Sequence, residues 1–222
     1  MSMTNPVKGN GVLTDKGGPL SLSQSPVPGK RCILSKEKDS SIPNPGAGLG
    51  PAVLPPGLLE RLCRAAREAG ALEARVIDTA TVVVAPWVRW KCRYGCPGYG
   101  RSLTCPPFTP RPEETEAMLR CYRTGILFLA EASWLVRYLA GHLEHLAFKA
   151  GSYRAFGLGA GTCGLCAECN LDGPCRRPGE ARPSMEACGI DVFQTVRNNG
   201  LPLTPAREPG EPCPRVGLLL VD

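Results

Sequence analysis

Apolar residues recur at helical spacing in the segment "LPPGLLERLCRAAREAG". Leu58, Leu59, Leu62 and Ala66 fall on one stripe, because residues three and four apart share a face of a helix. Gly70 follows the stripe and is suited to ending the helix. The pattern therefore predicts an amphipathic helix at the start of the folded part of the chain.

Three later segments also predict helices. In "SWLVRYLAGHLEHLAFK", Ser133 is suited to cap a helix that runs to about Lys149 with its leucines facing inward. "RPEETEAMLRCYRTG" has Pro112 in its first turn and Gly125 as its predicted end. "SMEACGIDVFQTVRNNG" predicts a single helix closed by Gly200.

Strand patterns alternate with these helices. "ARVIDTATVVVAPWVRW" is rich in Val and Ile and interrupted by "DTA", so it predicts a hairpin or two short strands. "ILFLAEA", "YRAFGLGAG" and "RVGLLLV" predict further strands, and the cysteines concentrate in irregular loops between elements. We therefore expect an α+β fold: a single domain over residues 57–222, with a small mixed sheet, flanking helices and two cysteine-rich metal-binding loops.

Residues 1–50 differ from the rest of the chain in composition. They contain eight Gly and six Pro, and their few apolar residues show no period. This composition predicts a disordered N-terminal extension. The first residues have no basic segment followed by an apolar one, and no apolar run is long enough to span a bilayer. We therefore expect a cytoplasmic protein that does not bind membranes.

The formal net charge is +6, but no dense block of Lys and Arg is present. We therefore expect no nucleic-acid binding. Arg89, Lys91, Arg93 and Arg101 interleave with aromatic residues, and their favoured role is to offset the charge of nearby thiolates. Twelve cysteines are present, and in a reducing compartment clustered cysteines are metal ligands or catalytic groups more often than disulfides.

The loop "CGLCAECNLDGPC" carries Cys163, Cys166, Cys169 and Cys175. Its first three cysteines are separated by two-residue gaps, and such a run can wrap one corner of an Fe4S4 cube. The fourth cysteine follows after five residues, so the match to a ferredoxin run is partial. The spacing favours an iron–sulfur cluster, [4Fe–4S], and zinc held by four thiolates remains the alternative.

A second loop lies upstream, "KCRYGCPGYGRSLTCPP", with Cys92, Cys96 and Cys105. Proline follows Cys105, and glycines between the cysteines allow tight turns with N–H groups toward sulfur. Four of the seven loop cysteines fill one cluster and three remain. The remaining three imply a non-cysteine ligand, an open metal position or an eighth sulfur from Cys188; a single site that uses four of the seven is also open.

Three motifs in order, "KCRYGCPGYGRSLTCPP", "GLGAGTCGLCAEC" and "CRRPGEARPSMEACGIDVFQT", carry a family resemblance. Over about residues 57–222 the chain resembles the prokaryotic cysteine-rich family described as predicted metal-binding proteins, a domain of unknown function. The resemblance implies a cysteine-bound metal, with iron–sulfur favoured, and no settled reaction. It carries over to the seven loop cysteines, Cys92, Cys96, Cys105, Cys163, Cys166, Cys169 and Cys175.

The functional expectation is an iron–sulfur protein that transfers electrons or acts in a redox complex with a partner protein. A structural zinc module for protein contacts is the second reading, and an enzyme with an open-site cluster is the third. His142 and His145 are expected on the surface, away from the leucine stripe, so a histidine-rich hydrolytic site is disfavoured. Cys63 and Cys121 are expected to fill the core, and Cys213 is left unassigned.

Overall fold

The computed structural model describes residues 54–208, 211 and 213–222. The predicted extension, residues 1–50, lies outside the described residues. Within the described part of the chain there are five α-helices and four β-strands. The helices are α1 (Leu58–Glu68), α2 (Pro86–Gly95), α3 (Pro112–Leu119), α4 (Ser133–Lys149) and α5 (Val192–Asn198). The strands are β1 (Glu73–Asp78), β2 (Thr124–Ala130), β3 (Phe156–Leu158) and β4 (Arg215–Leu220).

The four strands form one sheet in the order β1-β2-β4-β3. Each pair of neighbours is antiparallel, with Val76 opposite Ile126 and Leu127 opposite Leu218. The expected α+β class is confirmed. The expected mixture of strand directions is wrong for these four strands, because the connection from β2 to β3 crosses the sheet and leaves a place between them, which β4 fills in the opposite direction.

Both faces of the sheet are covered, which explains the unbroken apolar runs in β2 and β4. On one face, Ile126 and Phe128 pack with the buried residues of α1 and α4. On the other face, Leu127 and Leu129 pack against the segment that includes Met185 and α5. The fold is therefore three layers deep, with β2 and β4 at its centre.

The predicted helices at the positions of α1 and α4 are confirmed. In α1, Leu58, Leu62 and Ala66 are buried as the stripe predicts, and Gly70 follows at φ +102°, a conformation that favours glycine. In α4, the predicted inward residues include the fully buried Leu139 and Leu143. The predicted cap at Ser133 is wrong, because Ser133 is the first residue of the helix and Ala132 stands at the N-cap with no side-chain hydrogen bond. The sequence pattern predicted both helices correctly because α1 and α4 each bury one continuous apolar stripe against the sheet.

Other boundaries differ from the prediction. "PWVRW" is the start of α2 and not a strand, because Pro86 at the first helical turn has the fixed φ of a helix. α3 ends at Leu119, and Gly125 lies inside β2. The single helix predicted near residues 184–200 is broken at Gly189, whose φ is +82°; a 3-10 turn (Glu186–Cys188) precedes it.

The chain resumes as α5 after Gly189, with the side chain of Asp191 as its N-cap. Because of this break, residues 184–191 form a tight connection instead of a helix, and its 3-10 turn contacts α2. Among the described residues, no helix combines the length and apolarity that a membrane crossing requires.

Candidate metal centre

The first cysteine loop begins on a helix and ends in a turn. Cys92 lies on α2, Cys96 directly follows the helix, and Cys105 closes a turn in which its N–H donates to Ser102 O at 2.9 Å. Cys105 is buried, Cys92 is half-buried and Cys96 is exposed. The three thiols therefore approach one region from inside the protein and from its surface.

These three cysteines line a cavity of about 490 Å³ that opens to solvent. We call it the first cavity. Much of the remaining lining is apolar or aromatic: Trp87, Val88, Tyr99, Val192, Phe193 and Leu203. Cys213 lines it as well, a position that the sequence analysis left unassigned. A cavity of this size and composition can accommodate a small organic molecule beside the thiols.

The second cysteine loop lines its own cavity of about 210 Å³, the second cavity. Cys163, Cys166, Cys169 and Cys175 all line it, and all four are half-buried. Two backbone N–H groups point at sulfur: Arg177 N lies 3.4 Å from Cys175 Sγ, and Leu103 N lies 3.4 Å from Cys169 Sγ. Hydrogen bonds of this kind tune metal–thiolate groups.

The two loops contact each other. Leu103 belongs to the first loop and Cys169 to the second, 66 positions apart along the chain. Thr162 lines both cavities, and a Cβ placed on Gly98 would lie 2.6 Å from Thr162 Oγ1. Only glycine leaves room for that approach, so Gly98 allows the loops to close on each other.

The structure divides the seven predicted cysteines into three at one cavity and four at the other. Across the part of the chain that the structure describes, no three His, Cys, Asp or Glu side chains stand together as a ready ligand set. The assignment of the seven as ligands therefore stays a prediction. Cys188 lines neither cavity; it is packed in the core below the sheet, and burial raises its pKa to about 12.

A carboxylate that the sequence analysis missed lies at the first cavity. Glu186 lines it, and its Oε2 is buried without a hydrogen-bond partner among the described residues. Burial raises the pKa of Glu186, while its own N–H, the Ser184 hydroxyl and the Arg215 charge act in the opposite direction. The signal was not visible in "SMEAC", because that segment was interpreted as an exposed helix.

Two thiols of the first cavity, Cys92 and Cys105, have raised pKa values. Burial raises the pKa of Cys92, and the negative charges of Cys96 and Glu186 raise it further against the opposing charge of Arg89. Burial and Cys96 likewise raise the pKa of Cys105. Metal binding at these groups would release protons, because a thiolate is the ligand.

The prediction that the basic residues around the first loop offset thiolate charge is only partly supported. The charge of Arg89 lowers the pKa of Cys92, but its guanidinium mainly holds backbone, donating to Pro110 O at 2.8 Å and Ala187 O at 2.5 Å. Lys91 and Arg93 instead lie over the rings of neighbouring aromatic residues of α2. The exposed face of α2 is thus cationic and aromatic.

Two cysteines and two histidines outside the loops were also given predicted positions. Cys63 is buried in the core as expected, whereas Cys121 is exposed, so its assignment to the core is wrong. It lies just beyond the end of α3, which stops earlier than predicted. His145 is exposed as expected, and the half-buried His142 stacks on Tyr138 with ring centroids 5.5 Å apart.

Comparison with known proteins gives one family. A family model described as "Predicted metal-binding protein (DUF2284)" matches residues 75–221, a range that contains both cysteine loops and Glu186. Neither the curated proteins nor the solved structures gave a significant match. The expected family is confirmed: the chain belongs to the DUF2284 family of predicted metal-binding proteins.

Proposed function

We propose that the protein holds a [4Fe–4S] cluster on Cys163, Cys166, Cys169 and Cys175 and acts in electron transfer or in a redox complex. The observation that carries the proposal is the second cavity, which all four of these cysteines line. A bound cluster would supply one-electron chemistry, and the protein's own groups would set its potential and its access to solvent.

The residues of the second cavity fit such a group. Two N–H groups lie at 3.4 Å from sulfur, on Cys169 and on Cys175, and such donors stabilise thiolate charge. Arg101, Arg176 and Arg177 line the same cavity, so positive charge is at hand for four thiolates. All four cysteines are half-buried, which keeps a bound group near the surface for electron exchange.

Zinc on the same four thiolates is the competing reading, with a purely structural role. The protein purified without oxygen distinguishes the two readings through its iron, zinc and acid-labile sulfide content. We expect brown protein with about four iron and four sulfide per chain from this site, and an EPR signal after reduction. Colourless protein with stoichiometric zinc and no sulfide would contradict the iron–sulfur proposal and support the zinc module.

Two matched serine variants assign the site. Cys166→Ser removes one of the four predicted ligands, and we expect it to lose the cluster. Cys121→Ser is the control, because Cys121 is an exposed cysteine that lines neither cavity. We expect the control to keep the wild-type iron content; equal loss in both variants would show that the assignment to this loop is wrong.

A redox partner with an acidic docking face fits the exposed side of α2. Trp87, Trp90 and Tyr94 are 46%, 69% and 78% exposed, and Lys91 and Arg93 stand among them. Aromatic anchors between cations suit an acidic protein surface, and the attraction would be weakened by salt. Arg93→Glu should therefore slow electron transfer from an acidic one-electron carrier at low salt and leave iron content unchanged.

A second function, an enzyme with an open metal position, is favoured by the first cavity. The three cysteines of the first loop line about 490 Å³ of partly apolar space, and that loop by itself is one ligand short of a closed four-ligand site. Substituting Cys92, Cys96 or Cys105 should leave the second-loop cluster in place and change the spectrum of the protein. If each of the seven substitutions removes all metal equally, the open-site function loses its support.

A further inference from the structure

Glu186 holds an unusual position for a charged side chain. It opens the 3-10 turn Glu186–Cys188, and its Oε2 is buried with no hydrogen-bond partner among the described residues. A buried carboxylate oxygen without a partner is costly, and such a group calls for a water, an ion or a functional role. The carboxylate stays buried despite this cost because several contacts hold its segment in place.

Those contacts come from three separate parts of the chain. Ala187 O accepts from Thr109 Oγ1 at 2.6 Å and from Arg89 Nη1 at 2.5 Å. Cys188 O accepts from the buried Thr115 hydroxyl at 2.7 Å. The backbone on the C-terminal side of Glu186 is therefore fixed, which is how proteins hold a metal ligand in position.

The same turn meets the first cysteine loop. Glu186 lines the first cavity together with Cys92, Cys96 and Cys105, and the Cys92 thiol donates to Glu186 O at 3.9 Å. Three thiols and the Glu186 carboxyl line the same cavity, although no three of them stand together as a ready ligand set, and each can bind a cation once it loses its proton. A bound metal would satisfy the unpaired oxygen and the converging negative charge together.

We propose that Glu186 supplies a carboxylate oxygen as the fourth ligand of a metal site whose other ligands are Cys92, Cys96 and Cys105. This inference rests on the proposed metal-binding function and extends it from the second loop to the first. Cys188, the eighth-ligand candidate from the sequence, is excluded from the set because it is packed in the core and lines neither cavity. Cys213 lines the first cavity, but its thiol donates to Thr204 O at 3.5 Å.

The ligand set has a chemical consequence. A carboxylate is a harder donor than a thiolate and binds a thiophilic metal less strongly, so its position is the one that exchanges most readily. That position faces the cavity of about 490 Å³. A small molecule that enters the cavity would therefore meet the metal where Glu186 is bound, with aromatic side chains such as Trp87 and Phe193 around it.

Four full-length variants test the assignment after oxygen-free reconstitution with Fe²⁺ and sulfide. Glu186→Gln keeps the size of the side chain and removes its charge, and Cys96→Ser removes a cysteine of the proposed set. Cys188→Ala is the matched control two positions from Glu186, and Cys166→Ser reports on the second loop. Iron and sulfide per chain, the EPR spectrum after reduction and the urea stability of the metal-free proteins are measured.

We expect Glu186→Gln to lose the same share of iron as Cys96→Ser and to keep the second-loop signal. Cys188→Ala should retain wild-type iron. The metal-free Glu186→Gln protein should be at least as stable as the metal-free wild type, because a neutral amide costs less to bury than a carboxylate. Lower metal-free stability together with iron loss would assign Glu186 a structural role and overturn the inference.

The inference is also overturned if Glu186→Gln keeps wild-type iron and EPR, or if Cys188→Ala loses the iron that Cys96→Ser loses. Failure of the proposed function has a different signature. If the wild-type protein holds one cluster and Cys166→Ser removes all of it, the proposed function stands and the Glu186 site is rejected. If Cys166→Ser leaves the iron content and the EPR spectrum unchanged, the second-loop cluster is rejected. The comparison of Glu186→Gln with Cys96→Ser then still decides whether Glu186 is a metal ligand.

Discussion

The ion pair between Arg182 and Glu144 should be a principal stabilising contact at the exit of the second cysteine loop. Two donor–acceptor pairs join the side chains, Nη2 to Oε1 at 2.5 Å and Nε to Oε2 at 2.7 Å. The side chains are only 12% and 19% exposed, and Glu144 Oε2 also accepts from Gly157 N at 2.8 Å. The pair thus ties the loop exit to α4 and to β3.

Arg182→Ala would leave the Glu144 carboxylate without its cation in a mostly buried site. Breaking a fully buried pair costs about 3–5 kcal/mol, and the remaining exposure lowers our expectation to about 2–4 kcal/mol. For a domain of this size that corresponds to a fall in Tm of about 4–16 °C. Urea unfolding of the metal-free protein under reducing conditions, followed by circular dichroism, measures the free energy directly.

Arg177→Ala is the matched control, because Arg177 pairs with Glu180 through two contacts at 2.8 and 2.9 Å but with side chains 48% and 55% exposed. We expect it to cost about 0–1 kcal/mol. The reasoning is refuted if Arg182→Ala costs no more than Arg177→Ala. It is also refuted if Glu144→Gln and Arg182→Ala are additive in the double variant, since contacting partners should be coupled.

Three further outcomes follow from the structure. Gly157→Ala would place Cβ 2.5 Å from Ala140 O and should cost about 1–3 kcal/mol in urea unfolding, whereas Gly141→Ala, with open space at its Cβ, should gain up to about 1 kcal/mol. Burial raises the pKa of Tyr122, so its stabilising contribution is present below pH 10 and is lost as pH rises through the raised pKa. The unfolding free energy of wild type should therefore fall more steeply above pH 10 than that of Tyr122→Phe. Metal at a hundred times its Kd should raise the free energy of unfolding by about 2.7 kcal/mol and raise Tm, and a chelator should reverse both changes. A Tm that does not depend on metal would contradict binding to the folded state.

Helices were predicted correctly where one apolar stripe decides the local structure. α1 and α4 were predicted because their apolar residues recur at helical spacing, and Gly70 indicated where α1 ends. α2 was missed because Val and Trp suggest a strand when taken locally. Pro86 and the contacts of Arg89 with distant carbonyl groups favour a helix there instead.

The candidate site shows the same division. The spacing of Cys163, Cys166 and Cys169 is local, so the sequence singled out those residues directly. Glu186 gave no such signal, because its position beside Cys92 depends on a contact between residues 94 positions apart. Cys188 was equally ambiguous in sequence, and only its place in the core separates it from the cavity.

The sequence by itself determined the α+β class, most helices and strands, and the two loops in which the cysteines concentrate, since each depends on near neighbours along the chain. Tertiary structure alone decided the antiparallel order β1-β2-β4-β3, the contact between Leu103 and Cys169, and the division of seven sulfurs between two cavities. The physical reason is that burial and register depend on residues far apart in sequence, whose meeting no local pattern encodes.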